Sequence, residues 1–355
     1  MKVLITGICG FAGSTLAGEL TKHRAGMGIV GLDNLSRPGS ELNRQVLKQQ
    51  GVRLFHGDIR NPSDLESLPA VDWIIDAAAN PSVLAGVSGQ TSSRQLIEHN
   101  LIGTVNLLEH CKRARCGFLM LSTSRVYSLQ RLAGLKMESK AGAFEPKFKE
   151  IVEAGLTAAG VTEDFSTETP LSLYGASKLA SEIMVSEYAT AFDFPAYVNR
   201  CGVLAGAGQF GKADQGIFSF WIHSYCHKKP LKYIGFGGTG MQVRDCLHPR
   251  DLVSLLLKQM DSSGKNNGVV NVSGGRNHGI SLLQLTHWCA RRFGLHDVKS
   301  EDVNRPYDVP WLILNSERAG KIWDWRPVTS LEEILAEIAL HAERNPQWLE
   351  LSTEK

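Results

Sequence analysis

The sequence predicts an α/β fold: a doubly wound parallel sheet with a smaller C-terminal lobe that binds substrate. Three observations carry this. Strand-like and helix-like runs alternate from Met1 to about Gly202, the pattern of a parallel sheet covered by helices on both faces. The first apolar run, Val3-Leu4-Ile5, enters a helix-forming stretch, Ser14 to Lys22, through the turn Thr6-Gly7-Ile8-Cys9-Gly10-Phe11-Ala12-Gly13. The second run, Gly28 to Leu32, closes on Asp33, about twenty residues past the last glycine, where dinucleotide-binding folds place a carboxylate.

The predicted strands are Val3–Ile5, Gly28–Asp33, Val52–His56, Asp72–Ala78, Gly117–Ser122 and Ala196–Arg200, in spatial order 3-2-1-4-5-6. Residues 1–202 with 246–275 form the expected Rossmann unit, with 128–168 as an insertion or lid. Residues 203–245 with 276–355 form the expected substrate lobe.

Composition narrows the function. A chain of 355 residues buries a sizeable core, and 43% hydrophobic with 21% charged residues is the balance of a globular protein. A net charge of +2 provides no basic field for nucleic acid or an anionic membrane, so the expected partner is a small molecule. No apolar stretch reaches transmembrane length and the first strand follows Met1 directly, so a cytoplasmic location is expected. The seven cysteines, scattered from Cys9 to Cys289, form no Cys-x-x-Cys pair, and Cys111 and Cys116 lack histidines at metal spacing. Reduced thiols and no metal are expected.

A strand that enters a helix through closely spaced glycines offers bare N–H groups and the positive helix end to a pyrophosphate. Gly7, Gly10, Phe11, Ala12 and Gly13 are the expected cradle, and Asp33 is the expected acceptor for the adenosine ribose hydroxyls. Asn34, Ser36 and Arg37 follow in the next loop. Arg37 offers a charge for a 2′-phosphate, but Asp33 beside it repels one, so NAD is expected over NADP. Asp58 and Ile59 end the third strand, where Asp58 either takes the adenine amino group or turns the chain into the next helix. Ala77, Ala78 and Ala79 end the fourth, where small side chains let backbone approach a flat ligand or simply pack the core.

A long amphipathic helix is predicted around Ser92 to Arg113, with Leu96, Leu101, Val105 and Leu108 as a core and dimer stripe. Asn100 interrupts it as an amide that needs partners. The fifth strand runs into Ser122-Thr123-Ser124-Arg125, hydroxyls at a carboxyl end that suit a substrate hydroxyl, although Ser122 also suits a turn cap. Residues 128–168 are poorly periodic, with a helix predicted over Phe144–Glu153 and no chemistry assigned.

Tyr174 and Lys178 stand four residues apart at the start of a strong helix ending near Ala191, and so share one face. A phenol with a pKa near 10 becomes an acid/base at neutral pH when fixed positive charge stabilises its phenolate. The spacing alone proves little, because Tyr225 and Lys229 match it; position between strands five and six favours Tyr174. Gly235 to Gly240 likewise fits a dinucleotide pattern but opens no helix, and reads as a tight turn. Beyond Cys201, also assigned to the cofactor site, a helix is predicted over Phe218 to Tyr225. Short strands are predicted at Leu231–Ile234 and Met241–Val243, and helices at Arg250 to Met260, Ser281–Arg292 and Ser330–His341.

Taken together, Thr6-Gly7, Gly10-Phe11, Gly13, Asp33, Ser122-Thr123-Ser124, Val126-Tyr127 and Tyr174/Lys178 resemble the extended short-chain dehydrogenase/reductase family of NAD-dependent nucleotide-sugar epimerases and dehydratases. Within it, Asp33 to Arg37, His56 to Asn61, Asp214-Gln215-Gly216 and Gln242 to His248 are most similar to the CDP-paratose (CDP-tyvelose) 2-epimerases. The resemblance implies a tightly held NAD and transient oxidation at C2 of a CDP-linked deoxyhexose, with a UDP-sugar 4-epimerase as the alternative. A non-catalytic NAD-binding protein is a further alternative, although such proteins lose the tyrosine or lysine retained here.

It implies Tyr174 as base, Lys178 on the nicotinamide ribose and Thr123 on the reacting hydroxyl. Arg244 and Arg305 would take the nucleotide diphosphate, with Ser124, Arg125, Gln215, Gly216 and Tyr233 among the substrate contacts. A homodimer through the helices near Ser92–Arg113 and Tyr174–Ala191 is implied as well. Dehydration is disfavoured, because Ser124 and Arg125 stand where family dehydratases carry an acidic pair.

Overall fold

A computed structural model describes residues 1–87, 92–212, 215–262 and 268–352. Its centre is a sheet of seven parallel strands: β1 (Lys2–Thr6), β2 (Gly28–Asp33), β3 (Arg53–His56), β4 (Trp73–Asp76), β5 (Gly117–Thr123), β6 (Ala196–Cys201) and β7 (Val269–Val272). Their spatial order is β3-β2-β1-β4-β5-β6-β7. The six predicted strands thus stand in the predicted order, and Val269–Val272 adds a seventh at the β6 edge. The chain crosses to the other half of the sheet between β3 and β4, so the carboxyl ends of β1 and β4 part where a ligand crevice is expected.

Side-chain alternation along each strand feeds two cores. On β5, Leu119 and Leu121 face helices α1 (Phe11–His23) and α5 (Leu252–Asp261), while Phe118 and Met120 face α2 (Gly103–Ala114) and α3 (Leu173–Phe192). Burial on both sides explains why the strands read as unbroken apolar runs. The second lobe packs α4 (Ile217–Cys226), α6 (Leu282–Phe293) and α7 (Leu331–Arg344) around Trp221, Tyr225 and Ile338.

Three predicted elements differ. The helix expected over Phe144–Glu153 is instead a hairpin, Met137–Lys140 against Ala143–Pro146, followed by a single turn at Phe148–Glu150. Ala141 and Gly142 both take positive φ at its tip, and Pro146 cannot donate to a helix. The strand Leu231–Ile234 pairs not with the next segment but with Val298–Glu301, because Gly235, Gly237, Gly238 and Gly240 turn the chain away at positive φ. The helix predicted from Ser92 begins at Ser93–Ile97 and widens into a π turn over Glu98–Ile102 before α2. The insertion docks by Phe144 N–H to the Met241 carbonyl and Val161 N–H to that of Ile313. Among the described residues, no helix is long and apolar enough to cross a membrane.

Candidate active site

A cleft of about 920 Å³ opens at the carboxyl ends of the strands and runs between the two lobes. At one end lies the glycine turn. Gly7 adopts φ +61°, and a Cβ on Gly13 would fall 2.4 Å from the Gly7 carbonyl oxygen, so only glycine lets α1 start this close to β1. No side chain caps α1 and no acid stands in its first turn, which leaves the N–H groups of Phe11, Ala12 and Gly13 to an anion. Asp33 accepts from the N–H groups of Cys9 and Leu35, both at 2.8 Å, and burial raises its pKa against those bonds. Asn34, Ser36, Ile59 and Ala77 to Ala79 line the same end. These features fit a dinucleotide: an open helix terminus for its pyrophosphate and a carboxylate at the β2 end for its ribose.

Arg37 lines the cleft too, but its guanidinium is turned across it, donating to Gln215 Oε1 at 2.5 Å and the Phe210 carbonyl at 3.1 Å. Its fork thus joins the lobes beside Gly216, which also lines the cleft. Asp214 lies outside the described residues.

At the middle of the cleft, β5 delivers Ser122, Thr123, Ser124 and Arg125, β6 ends on Cys201, and α3 supplies Tyr174. The Ser172 side chain accepts from the Gly175 N–H at 3.0 Å and fixes the α3 start. Tyr174 stands close enough to Thr123 for the threonine hydroxyl to favour the ionised phenol. Burial pushes the Tyr174 phenol up to about 12, opposed by Thr123 and by the Arg125 charge. The Tyr174 phenol is therefore protonated at neutral pH in the protein alone.

Lys178 does not line the cleft but lies immediately behind it, 1% exposed. Burial lowers its pKa against Asp76, Glu182 and Cys201. Glu182, one turn on, holds Arg200 at 2.7 Å and accepts from Ser122, so a buried ion pair braces the β5 terminus from behind.

The far end is basic. Arg244 pairs with Asp308 at 2.6 Å, and Arg125 donates to the Tyr307 carbonyl at 3.3 Å. Burial, then the neighbouring Arg244, lowers the Arg125 pKa to about 10. Arg305 is close enough to Arg125 and Arg244 to make both less basic, while Asp308 acts on both in the opposite sense. This gathering of guanidinium groups suits an anionic ligand.

Three further sequence-predicted residues stand apart from the cleft wall. Asp58 is turned to Arg60 and Asn34; burial pushes its carboxyl up, but those hydrogen bonds outweigh it and the net shift is downward. Asn100 clamps Asn80 through both its N–H, at 2.8 Å, and its carbonyl, at 3.1 Å, and donates to Ser177. Tyr233 lies in the second-lobe core, stacked on Trp221 with its hydroxyl on Thr286. Its alternation along Leu231–Ile234 turns it inward, so the structure does not bring it into the cleft with the other residues expected to contact substrate.

Reasoning from sequence passed over Phe218, His99, Gln242, Leu285 and Asp308, all in the cleft wall. Gln242 and Arg244 alternate in one extended run, and Asp308 falls three residues after Arg305; those spacings were the available signals. All seven cysteines are free thiols, and among the described residues no cluster of ligands could hold a metal ion.

Comparison with known proteins agrees with this geometry. Residues 3–273 match the model of the NAD dependent epimerase/dehydratase family. CDP-paratose 2-epimerase of Salmonella typhi is 32% identical over 305 residues, covering 80% of this chain and 82% of that protein. UDP-glucuronate 4-epimerase of Thermodesulfobacterium geofontis is 28% identical over 341 residues, 93% of this chain and 92% of that protein. Among solved structures, UDP-glucuronic acid 4-epimerase of Bacillus cereus, with UDP-glucuronic acid and NAD, superposes with a TM-score of 0.76 at 24% identity, covering 97% and 99% of the two chains. At that identity the superposition bears on the fold. The chain belongs to the NAD-dependent epimerase/dehydratase family.

Proposed function

We propose that the chain epimerises C2 of a CDP-linked deoxyhexose through a transient ketone. The juxtaposition of Thr123 and Tyr174 in the cleft at the β5 terminus is the observation that carries this reading. The similarity to CDP-paratose 2-epimerase supports the choice of carbon and nucleotide. NAD, when bound at the glycine turn and Asp33, would supply the hydride acceptor and donor for the sugar carbon. Thr123 orients the sugar hydroxyl, and Tyr174 takes its proton and later gives it back. Lys178 holds the cofactor ribose from behind and keeps positive charge near the phenolate. Arg244 and Arg305, with Arg125, anchor the diphosphate while the ketone turns to present its other face.

A UDP-sugar 4-epimerase is the second reading, favoured by the longer coverage of the UDP-glucuronate 4-epimerase match. Ser124 and Arg125 provide no acid beside Thr123, which argues against dehydration. Incubation with CDP-paratose and with UDP-glucuronate, followed by NMR, separates the readings. Inversion at C2 of the former is expected; inversion only at C4 of the latter overturns the proposal.

We infer further that the protein is a homodimer. Ile102 beside α2 and Ile183 and Phe192 on α3 leave 44%, 57% and 43% of their surface exposed, apolar area that a second copy would cover.

A further inference from the structure

The order of parts in a nucleotide sugar fixes where its base must lie. With the reacting hydroxyl at Thr123 and Tyr174 and the diphosphate at the arginine cluster, ribose and base extend further along the same cleft. That part of the wall carries Phe218, Ile280, Leu282 and Leu285, apolar side chains suited to the faces of a flat ring. The cleft wall also holds three buried side-chain oxygens without a partner: Asp308 Oδ2, Gln209 Oε1, and that of Gln242, a residue 6% exposed. Buried polar atoms of this kind are uncommon, and one in a cleft wall points to a ligand donor.

The orientation of the Gln242 amide is set by its surroundings. Its nitrogen donates to the Ile234 carbonyl at 3.2 Å, and a carbonyl can only accept, so the amide oxygen is the end left without a partner. Asp308 Oδ2 stands nearer the arginines, through the Arg244 pair, and suits a ribose hydroxyl. Gln209 is held at the Leu204 carbonyl beside Gly216, whereas Gln242 precedes the pairing of Val243 and Arg244 with Ser281 and Ile280 and so stands beside the apolar wall suited to the base.

We propose that Gln242 reads the nucleobase, its side-chain oxygen accepting a hydrogen bond from the exocyclic amine of cytosine. Uracil carries a carbonyl in place of that amine and sets acceptor against acceptor; its ring N–H is flanked by carbonyl oxygens on both sides. The inference rests on the nucleotide-sugar reading above, but it concerns base selection and not the carbon that is epimerised.

Calorimetric titration of the NAD-loaded protein with CDP, with UDP, and with the diphosphate of the pyrimidin-2-one nucleoside, which is cytidine lacking its amine, tests it without altering the protein. CDP should bind at least about ten-fold more tightly than either. Gln242→Met should remove that preference by weakening CDP about ten-fold while UDP and the amine-free analogue change little, and Gln242→Glu, which keeps an acceptor, should retain it in part. Equal binding of CDP and UDP, tighter binding of UDP, or an equal loss of all three ligands in Gln242→Met overturns the proposal. A CDP preference that persists unchanged in Gln242→Met also overturns the role of Gln242, yet leaves a cytidine substrate standing.

Discussion

At the scale of single residues, the account turns on Tyr174. Burial holds its phenol near 12 in the protein alone, so catalysis near neutrality requires positive charge that the bound state brings beside it. Tyr174→Phe should lower kcat by about 10²–10⁴-fold, the usual worth of a positioned acid/base, while NAD remains bound; turnover within a few-fold of the parent would remove Tyr174 from the mechanism. Lys178→Met should shift the basic-rising limb of the kcat–pH profile to higher pH, because losing an ammonium destabilises the phenolate. An unchanged limb with lower kcat would leave Lys178 a purely structural part. Both residues could be singled out in the sequence because an i, i+4 pair on a helix is a local pattern and its place between the fifth and sixth strands separates it from Tyr225 and Lys229. Gln242 was not, because an uncharged amide acquires meaning only when Ile234 fixes its orientation and the cleft surrounds it.

At the scale of elements, the glycine turn and α1 form a tight constraint on the cofactor end of the cleft. A methyl on Gly13 meets backbone atoms, Gly7 O at 2.4 Å and the Ile8 Cα at 2.7 Å, and neither can swing aside as a side chain would. Gly13→Ala should strip NAD from the purified protein and lower Tm by several degrees; denaturation followed by chromatography of the released nucleotide, with a thermal melt, checks both. The elements that sequence revealed, β1 to β6 and α1 to α7, are those whose periodicity is carried by continuous local runs. What it did not reveal are the pairings and turns that depend on distant partners. Leu231–Ile234 finds its partner strand more than sixty residues later at Val298–Glu301, and the 137–146 hairpin is tied to Met241 in the other lobe. The π turn at Glu98–Ile102 carries Asn100 to the Asn80 backbone, a requirement set by a contact rather than by apolar spacing.

For the whole molecule, buried histidines make stability depend on pH. His223 and His248, 1% and 5% exposed, are each held down to about 3, first by burial and then by neighbouring His341 and Arg250 respectively. In the unfolded chain they titrate near 6.5, so their contribution is complete above that pH and is lost as pH falls from there toward 3. Each loses at most about 1.4 kcal/mol per pH unit over that window. Asp245 works in the opposite sense: burial raises it to about 6, so its contribution is present in acid and lost as pH rises through 6. Two histidines outweigh one carboxylate, and urea unfolding should report lower stability at pH 5 than at pH 7; equal or greater stability at pH 5 contradicts this balance. Light scattering at micromolar concentration should give the mass of two chains, and a monomer would remove the proposed pairing of α2 and α3.

The central claim, reversible oxidation of one sugar carbon between Tyr174 and the cofactor, is tested most directly with CDP-paratose deuterated at C2. The account predicts deuterium on the reduced cofactor during turnover and deuterium retained at C2 of the epimer, with none exchanged to solvent. Epimerisation with the label never reaching the cofactor, or with solvent hydrogen at C2, would contradict it.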